Sequence, residues 1–386
     1  MEKIKINDVC DILNGYAFKS GKYTDEGIRV IRIANVQKGY IEDNAPVFYP
    51  IDTTNLDKYM LKEDDLLMSL TGNVGRVALL QKEMLPAALN QRVACLRIKT
   101  NKITKQFLFH ILNSDFFEYQ CINTSKGVAQ KNLSTEWLKN YEIPLYEIQE
   151  QIKISQILDK TRYIINSRKD ELRALDNLIK ARFVELFGTL DNPTFNYNKS
   201  TLGELCYKIT DGKHGGCSLI QGSNRYFVGA REIYDDKVHY ENAPEISVDD
   251  FEKDYRRCNV EVGDFLIVNT GATIGKSAIA TDKRTKHTLL QKSVALLKLN
   301  QDLLNPEFLK WCYRINTRMY LVESSSAQPN LLLSKIKATE IYVPPIELQN
   351  QFADFVKEVD KSRLEVQKSL EKTQELFDSL MQKYFG

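Results

Sequence analysis

The sequence predicts an α+β protein built from two tandem copies of one globular domain, separated by two long antiparallel coiled-coil helices. Three observations lead to this fold class. The second half of the chain repeats the first at a period of about 200 residues. Each copy opens with ~145 residues that mix short β-like runs, Gly/Asn/Asp turns and one helical patch. Each copy then ends with ~40 residues that contain no Gly or Pro before the last position, which is typical of one helix.

Five short motifs recur in the same order in both halves and define the repeat. The matched pairs are Asp65–Arg76 with Asp264–Lys276, Asn90–Ala94 with Leu290–Ala295, Ala129–Leu133 with Ala327–Leu331, Ile143–Ile152 with Val343–Phe352, and Leu186–Gly188 with Tyr384–Gly386. A repeat this long indicates a duplicated domain rather than a solenoid. We therefore assign the first domain to residues 1–145, the first long helix to 146–188, a linker to 189–200, the second domain to 201–344 and the second long helix to 345–386.

Apolar residues recur at alternating steps of four and three along both long helices. The residues expected to pack between the helices are Leu158, Ile165, Leu172, Ile179, Leu186, Phe352, Val359, Val366, Leu370 and Phe377. A 3.5-residue period sustained in this way predicts a coiled coil, in which 33 residues per helix give a rod of about 50 Å. Antiparallel pairing would send the two domains to opposite ends, whereas parallel pairing would need a longer linker. The alternative is that both helices belong to one globular core.

Composition excludes several classes of protein without choosing a function. The formal net charge is only +2, so any nucleic-acid surface must be a local one. No apolar run approaches the ~20 residues of a membrane span, and the first residues lack a signal peptide, so we expect a cytoplasmic protein. The seven cysteines are odd in number and never spaced as Cys-x-x-Cys, which disfavours a disulfide framework and a zinc site.

The glycine-rich segment Gly271–Ser277 resembles a phosphate-binding Walker A loop. That motif needs four residues between its glycines and this segment has three, while the matching Gly72–Arg76 lacks the Ser or Thr that would hold magnesium. A β-like run also follows each loop where Walker A requires a helix. We therefore interpret both as β-turn loops that present Arg76 and Lys276 to a phosphate or a base edge, the alternative being a plain surface hairpin.

Basic and amide side chains gather in turn-rich stretches of both copies. Such groups suit phosphates, guanine edges and adenine edges, although each one alone is equally well explained as a solvated surface residue. The candidate DNA-binding residues are Lys19, Lys22, Asn73, Arg76, Gln91, Arg92, Lys126, Gln130, Lys131, Asn132, Lys213, His214, Thr273, Lys276, Gln291, Lys292, Gln328 and Asn330. The pairs Gln-Arg/Lys and Gln-x-Asn recur in both copies, and no catalytic or metal-binding set accompanies them.

Several of these motifs resemble the specificity subunit of type I restriction-modification systems. They are Asn14–Ser20, the Thr-Gly loops, the proline before each long helix, and Thr210–His214, which is similar to the Thr-Asp-Gly-Thr-His of many such proteins. The resemblance covers both halves of the chain. It departs from the family at the start of each helix, where Ile148-Gln149 and Leu348-Gln349 stand in place of a frequent Glu-Gln.

The resemblance implies two target recognition domains that read a bipartite, asymmetric site in double-stranded DNA. It implies assembly with two modification methyltransferase subunits, which bind S-adenosylmethionine and methylate adenine, and with restriction/translocase subunits, which use ATP and Mg. No cofactor is then expected on this chain, and catalysis would occur in the partners.

Other functions remain open at this point. One is a specificity subunit serving a methyltransferase that lacks a restriction partner. Another is a scaffold protein whose coiled coil and α+β domains bind protein and not DNA. An ATP-binding enzyme is the third, and it rests on the imperfect Walker A resemblance alone.

Overall fold

The computed structural model describes residues 2–51, 56–125, 132–316, 319 and 330–386. The chain divides into two compact units, one formed by Met1–Lys169 with Lys368–Gly386 and the other by Asp170–Gln367. Both divisions fall inside a long helix, so each long helix contributes to both units. In the part of the chain that is described, every helix is too short or too polar to cross a lipid bilayer.

The described residues of the first domain form nine strands and four short α-helices, followed by the first long helix. The strands are β1 Glu2–Lys5, β2 Cys10–Asn14, β3 Ile28–Ile31, β4 Phe48–Tyr49, β5 Leu66–Ser69, β6 Val77–Leu79, β7 Ala87–Leu89, β8 Val93–Ile98 and β9 Glu142–Leu145. The helices are α1 Ile6–Val9, α2 Lys105–Leu112, α3 Asp115–Thr124, α4 Thr135–Asn140 and the long α5 Ile148–Phe187.

The described residues of the second domain follow a similar order, with ten strands and four short α-helices. Its strands are β10 Lys199–Thr201, β11 Cys206–Asp211, β12 Tyr226–Val228, β13 Ile233–Tyr234, β14 Lys237–Val238, β15 Phe265–Val268, β16 Ser277–Ile279, β17 Thr288–Leu290, β18 Val294–Leu299 and β19 Glu340–Tyr342. Its helices are α6 Leu202–Leu205, α7 Val248–Cys258, α8 Pro306–Ile315, α9 Leu333–Ala338 and the long α10 Ile346–Phe385. We did not predict α7, and the described residues of the matching segment in the first domain contain a short 3-10 helix, Asp57–Tyr59.

The same sheets recur in both domains, which confirms the predicted duplication. The central four-stranded sheet has the order β2-β8-β5-β6 in the first domain and β11-β18-β15-β16 in the second, with antiparallel pairs throughout. A parallel pair accompanies each sheet, β3 with β7 and β12 with β17. The first strand of each domain pairs with the strand that precedes the long helix, β1 with β9 and β10 with β19. Each domain is therefore closed by its own two ends.

In the first unit, both long helices complete the core of the domain. Ile154 and Leu158, near the start of α5, and Met381 and Phe385, near the end of α10, are buried in one cluster with the apolar faces of β5, β8 and α2. The ring of Phe385 lies 5.5 Å from that of Phe107 on α2. The start of one helix thus packs with the end of the other.

In the second unit the order is reversed, because the end of α5 now packs with the start of α10. Four phenylalanine rings join the helices to α8 with centroid distances of 4.8 to 5.6 Å, namely Phe183, Phe187, Phe308 and Phe352. Val356 and Val359 extend the same buried cluster. The helical segments are therefore antiparallel within each unit, and the predicted fold class is confirmed.

The residues predicted to pack between the helices are all shielded from solvent to some degree. Leu158, Ile165, Ile179, Phe352, Val359 and Val366 are buried, and Leu172, Leu186, Leu370 and Phe377 are half-buried. Near the end of α5, the predicted spacing would place Arg182 among the apolar residues that pack between the helices. Arg182 instead pairs with Glu185 at the surface. Phe183 and Phe187 are buried there because an α-helix turns every 3.6 residues and drifts away from a 3.5-residue stripe.

A fully buried glutamine fixes the start of each long helix to its domain. The amide of Gln151 donates to Lys102 O and Tyr146 O, each at 2.8 Å, while its Oε1 accepts from Thr104 N. Gln349 makes the same three bonds in the second domain, to Leu303 O, Pro344 O and Asn305 N. Buried main-chain groups need hydrogen-bond partners, and this one side chain supplies the partner for two carbonyl groups and one N–H group.

This equivalence corrects the alignment of the two copies that the sequence suggested. The prediction matched Gln149 with Gln349, whereas the structure matches Gln151 with Gln349, since Gln149 is exposed and both others are fully buried. The error arose because Gln149, Gln151, Gln349 and Gln351 offer two registers that differ by two residues. Burial on the helix face distinguishes them.

We expect Gln151→Leu to lower the free energy of unfolding by on the order of 3 kcal/mol, because it leaves one buried donor and two buried acceptors without partners. The matched control is Gln149→Leu, an exposed change that should stay within about 0.5 kcal/mol of wild type. Chemical denaturation monitored by circular dichroism measures both. Equal losses for the two variants would contradict the role of Gln151.

Candidate nucleic-acid interface

Four loops of the first domain are held together by main-chain hydrogen bonds. The bonds are Tyr16 N to Leu89 O at 2.8 Å, Gln91 N to Tyr16 O at 2.9 Å, Leu70 N to Arg92 O at 3.0 Å and Leu133 N to Leu70 O at 2.8 Å. They join residues 14–23, 70–76, 90–92 and 132–133, which we call loop cluster 1. Most of the candidate residues predicted from the first copy belong to these four segments.

The second domain contains the same arrangement, which we call loop cluster 2. The corresponding bonds are Lys213 N to Leu290 O at 2.7 Å, Lys292 N to Lys213 O at 3.0 Å, Asn269 N to Ser293 O at 3.0 Å and Leu331 N to Asn269 O at 2.7 Å. The joined segments are residues 211–220, 269–276, 291–293 and 330–331. Segments far apart in the sequence are thus brought together by main-chain atoms, which leaves side chains free to vary.

A glycine permits the first and third loops of each cluster to cross. A Cβ atom placed on Gly15 would lie 2.2 Å from the carbonyl carbon and oxygen of Asn90, and one placed on Gly212 would lie 2.2 Å from Leu290 O. No side chain fits at such distances. The requirement is steric, since neither glycine has a positive φ angle.

The sequence analysis matched Gln91-Arg92 with Gln291-Lys292, and the main-chain bonds show that this match is wrong by one residue. Gln91 N and Lys292 N make the equivalent bond, so Gln91 corresponds to Lys292 and Gln291 to Asn90. Gln291 is half-buried, and its amide fills the space beside Gly229, where a Cβ would come within 2.4 Å of Oε1. The side chain of Gln291 packs against Gly229, and its role in DNA binding stays a prediction.

The two Thr-Gly loops are turns between antiparallel strands and not phosphate-binding loops before a helix. Gly75 N donates to Ser69 O, and Gly275 N donates to Val268 O, each at 3.0 Å. Strands β6 and β16 follow the loops, as predicted. Gly72, Gly75, Gly271 and Gly275 all have positive φ angles, which favour glycine. The second loop is longer by one residue, so Asn73 and Thr273 need not occupy equivalent places.

Ten of the eighteen candidate side chains are exposed. They are Lys19, Lys22, Asn73, Gln91, Arg92, Asn132, His214, Lys276, Lys292 and Asn330. Arg76, Lys213, Thr273 and Gln291 are half-buried. Lys126, Gln130, Lys131 and Gln328 lie outside the described residues. The exposed set draws on all four segments of both clusters, and it places positive and amide groups on the surface of each cluster.

Two candidate basic side chains are engaged inside the protein. Arg76 donates a hydrogen bond to Gln37, and Lys213 pairs with Asp254 and, at 3.8 Å, with Asp250 on α7. The hydrogen bond to Asp254 raises the pKa of Lys213. Lys213 therefore fastens its loop to α7, and its contact with DNA stays a prediction.

The motif Thr210–His214 is part of the same anchor. Asp211 accepts hydrogen bonds from Arg257 at the end of α7 and from His214 Nε2, the latter at 3.1 Å. Burial raises the pKa of Asp211, but the bonds from Arg257 and His214 outweigh it and bring that pKa below its ordinary value. A carboxylate in this state stays charged at neutral pH and holds the loop against the helix.

An aromatic cluster under loop cluster 1 is a feature that sequence reasoning missed. Tyr16 and Phe18 lie 5.0 Å apart, and they pack against Tyr59 and Tyr49 at 5.3 and 4.9 Å respectively. The intervening Ala17 and the following Lys19 are exposed. The alternation of aromatic and small or basic residues in Tyr16–Lys19 was the available signal. The rings of Tyr16 and Phe18 anchor the loop on one side, and Lys19 is exposed on the other.

Among the residues that the structure describes, histidine, cysteine and carboxylate side chains form no group of three that could hold a metal ion. All seven cysteines are free thiols, and burial raises the pKa of most of them, to about 12 for Cys10 and for Cys206.

Comparison with known protein families agrees with two copies of a recognition domain. A family model described as the type I restriction modification DNA specificity domain matches residues 1–174 and matches again over residues 196–376. The chain therefore belongs to the family of type I restriction modification DNA specificity domains, and it carries the domain twice.

Individual relatives match nearly all of the chain or about half of it. The type I restriction enzyme EcoBI specificity subunit of Escherichia coli is 25% identical over 99% of this chain and 85% of its own length. The MjaVIII specificity subunit of Methanocaldococcus jannaschii is 30% identical over 46% of this chain and 43% of its own. The S subunit of a type I system from M. genitalium shares the fold, with a TM-score of 0.61 at 17% identity over 100% of this chain and 96% of its own.

We expect Gly15→Ala to destabilise the first domain by about 1–3 kcal/mol, because the new methyl group overlaps the Asn90 carbonyl. Amide hydrogen exchange should show faster exchange at Tyr16 and Gln91, whose bonds hold the loops together. Gly21→Ala is the matched control in the same loop, since a Cβ there meets nothing within 4 Å. Unchanged exchange at both amides in Gly15→Ala would contradict the crossing.

Proposed function

We propose that this chain is the DNA sequence-recognition subunit of a type I restriction-modification complex, and that each loop cluster reads one part of a bipartite site. The observation that carries the proposal is the duplicated loop cluster, which occurs on a domain of the DNA specificity family in both halves. Basic and amide side chains of the kind exposed there bind phosphates and base edges.

The two clusters differ in the side chains that they expose, which supports an asymmetric site. Cluster 1 presents Lys19, Lys22, Gln91 and Arg92, whereas cluster 2 presents His214, Lys276 and Lys292. A common main-chain frame with different hydrogen-bonding groups suits two readers of different sequences.

The length of the long helices supports a role in setting the unread gap between the two parts of the site. Each helix has 40 residues, or about 60 Å, compared with ~34–36 Å for one turn of B-DNA. In this proposal the gap depends on helix length and the bases depend on the loop clusters.

Chemistry on DNA is assigned to partner subunits. In the proposed complex, two methyltransferase subunits bind S-adenosylmethionine and methylate adenine N6, and restriction/translocase subunits use ATP and Mg to move along and cut unmodified DNA. The support is that relatives spanning this chain are specificity subunits of type I restriction enzymes. A methyltransferase complex that has no restriction partner would use the same recognition surface.

The proposal is tested by mapping methylated adenines across the genome in the source cells with and without this protein. We expect one asymmetric two-part motif to lose methylation when the protein is deleted and to regain it on re-expression. The purified chain alone should bind duplexes that carry the motif without methylating them. An unchanged methylation map, or methylation by the chain alone, would contradict the proposal.

We expect Lys276→Ala to weaken binding to a duplex carrying the mapped motif by about 1–3 kcal/mol if the ammonium group meets a base. If the ammonium group meets a phosphate, the slope of log affinity against log salt concentration should decrease in magnitude by about one. Fluorescence anisotropy at several salt concentrations distinguishes the two results. Lys357→Ala, an exposed lysine on α10, is the control and should leave affinity unchanged, while an unaffected Lys276→Ala would show that this loop is structural.

A further inference from the structure

The two loop clusters differ in a respect that their common main-chain frame does not explain. Among the described residues of loop cluster 1, no large apolar side chain is exposed. Loop cluster 2 and the residue that follows it expose Leu219, Ile220 and Leu332, by 71%, 50% and 58%. A single exposed leucine is ordinary on a protein surface. Leu332 is different, because its counterpart in the first domain can be identified and has a structural task.

The counterpart of Leu332 is Ser134. Leu138 N donates to Ser134 O at 3.1 Å at the start of α4, and Ile336 N donates to Leu332 O at 3.0 Å at the start of α9. Each of the two residues also follows directly the buried leucine whose N–H joins the fourth loop to its cluster. Ser134 and Leu332 therefore hold the same N-cap position on matching helices.

A serine stabilises the helix from this position, and a leucine does not. Ser134 Oγ accepts hydrogen bonds from Glu136 N and Trp137 N, at 3.2 and 3.5 Å. Leu332 has no side-chain oxygen, so α9 begins without a side-chain cap. Serine is among the preferred N-cap residues and leucine is among the least favourable. Leu332 thus combines an uncapped helix with an exposed apolar surface, and such departures from local stability are expected where a residue serves recognition.

The side chain of Leu332 lies on the same surface as a candidate recognition residue. Asn330 is exposed, Leu331 is fully buried and Leu332 is exposed, and the backbone at Leu332 is extended. Because side chains alternate along an extended chain, those of residues 330 and 332 point to the same side. Thr270 Oγ1 donates to Asn330 Oδ1 at 3.2 Å, which joins this surface to the Thr-Gly loop that carries Lys276.

We infer that Leu332 contacts the C5-methyl group of a thymine in the major groove and so selects a T·A pair in the part of the site that loop cluster 2 reads. The inference rests on the proposed function. Base edges in the major groove carry hydrogen-bond donors and acceptors, and the thymine methyl is the apolar group among them. An apolar side chain beside amide and basic groups matches such an edge. Loop cluster 1 has a serine at this position, so the contact belongs to the second domain alone.

The contact is tested with duplexes in which each thymine of the mapped motif is replaced in turn by uracil, which removes only the C5-methyl group. Fluorescence anisotropy measures their binding to the full-length chain. We expect one such replacement to weaken binding by about three- to fivefold, as for the loss of one buried methyl group. The same replacement should have no effect on Leu332→Ser, which already lacks the apolar side chain.

Leu332→Ser also separates recognition from structure. The new serine restores the cap that Ser134 provides, so we expect the midpoint of thermal unfolding to rise by about 2–4 °C. The affinity for the thymine duplex should fall by at least about threefold. A leucine with a structural role would instead lower the midpoint when it is replaced, and that result would overturn the inference.

Val262→Ser is the matched control in the same domain. Val262 is 60% exposed and precedes β15, whose other end enters loop cluster 2. This variant also removes an exposed apolar side chain, but at a distance from the cluster. It should therefore bind the thymine duplex like wild type and keep the full effect of uracil.

The other results overturn the inference and leave the proposed function standing, because the motif is still bound. Weaker binding by Leu332→Ser without any effect of uracil on wild type would make Leu332 a wedge between base steps. An effect of uracil that persists in Leu332→Ser would assign the thymine to another residue. If only 5-methylation of a cytosine strengthens binding through Leu332, the methyl group belongs to 5-methylcytosine. Failure to bind any duplex that carries the motif would overturn the proposed function as well.

Discussion

The structure depends on the burial of long-helix residues in the core of each domain. In the first unit Ile154, Leu158, Met381 and Phe385 fill one side of the core, and in the second unit the Phe183–Phe352 ring cluster does so. A four-stranded sheet with short helices has too little apolar surface to shield its own inner face. Segments of both helices therefore complete the core of each domain, and the chain supplies these segments from positions that are far apart in the sequence.

Each domain separates residues that fix the structure from residues that are available for recognition. Main-chain bonds and the crossing glycines hold the loops, the buried glutamines hold the start of each long helix, and none of these uses an exposed side chain. The second domain adds an ion-paired anchor, in which Lys213 and Asp211 fasten the first loop of cluster 2 to α7. The exposed lysines and amides carry little of the fold, so they contribute to binding without a large effect on stability.

The duplication, the α+β class and the two long helices could be predicted from sequence because each leaves a periodic or repeated signal. The residue-by-residue match between the two copies could not be predicted. Gln149 and Gln151 are the same residue type, and only their burial shows which of them corresponds to Gln349. Gln91 and Gln291 align in sequence, but the main-chain hydrogen bonds show that the true alignment is shifted by one residue. The ion pairs of Lys213 could not be predicted, because its acidic partners on α7 lie about 40 residues further along the chain. Ion pairs between distant segments leave no local pattern.

The use of main-chain hydrogen bonds to join the loops has a consequence for how such a protein changes its target. A hydrogen bond between a main-chain amide and a carbonyl does not depend on the side chains of the two residues. The exception is the glycine at each crossing, where no side chain fits. Whole sets of surface groups can be exchanged on the same frame, one domain at a time, without a new folding problem. Under the proposed function, each domain could then change the bases that it recognises without altering the main-chain frame of the other domain.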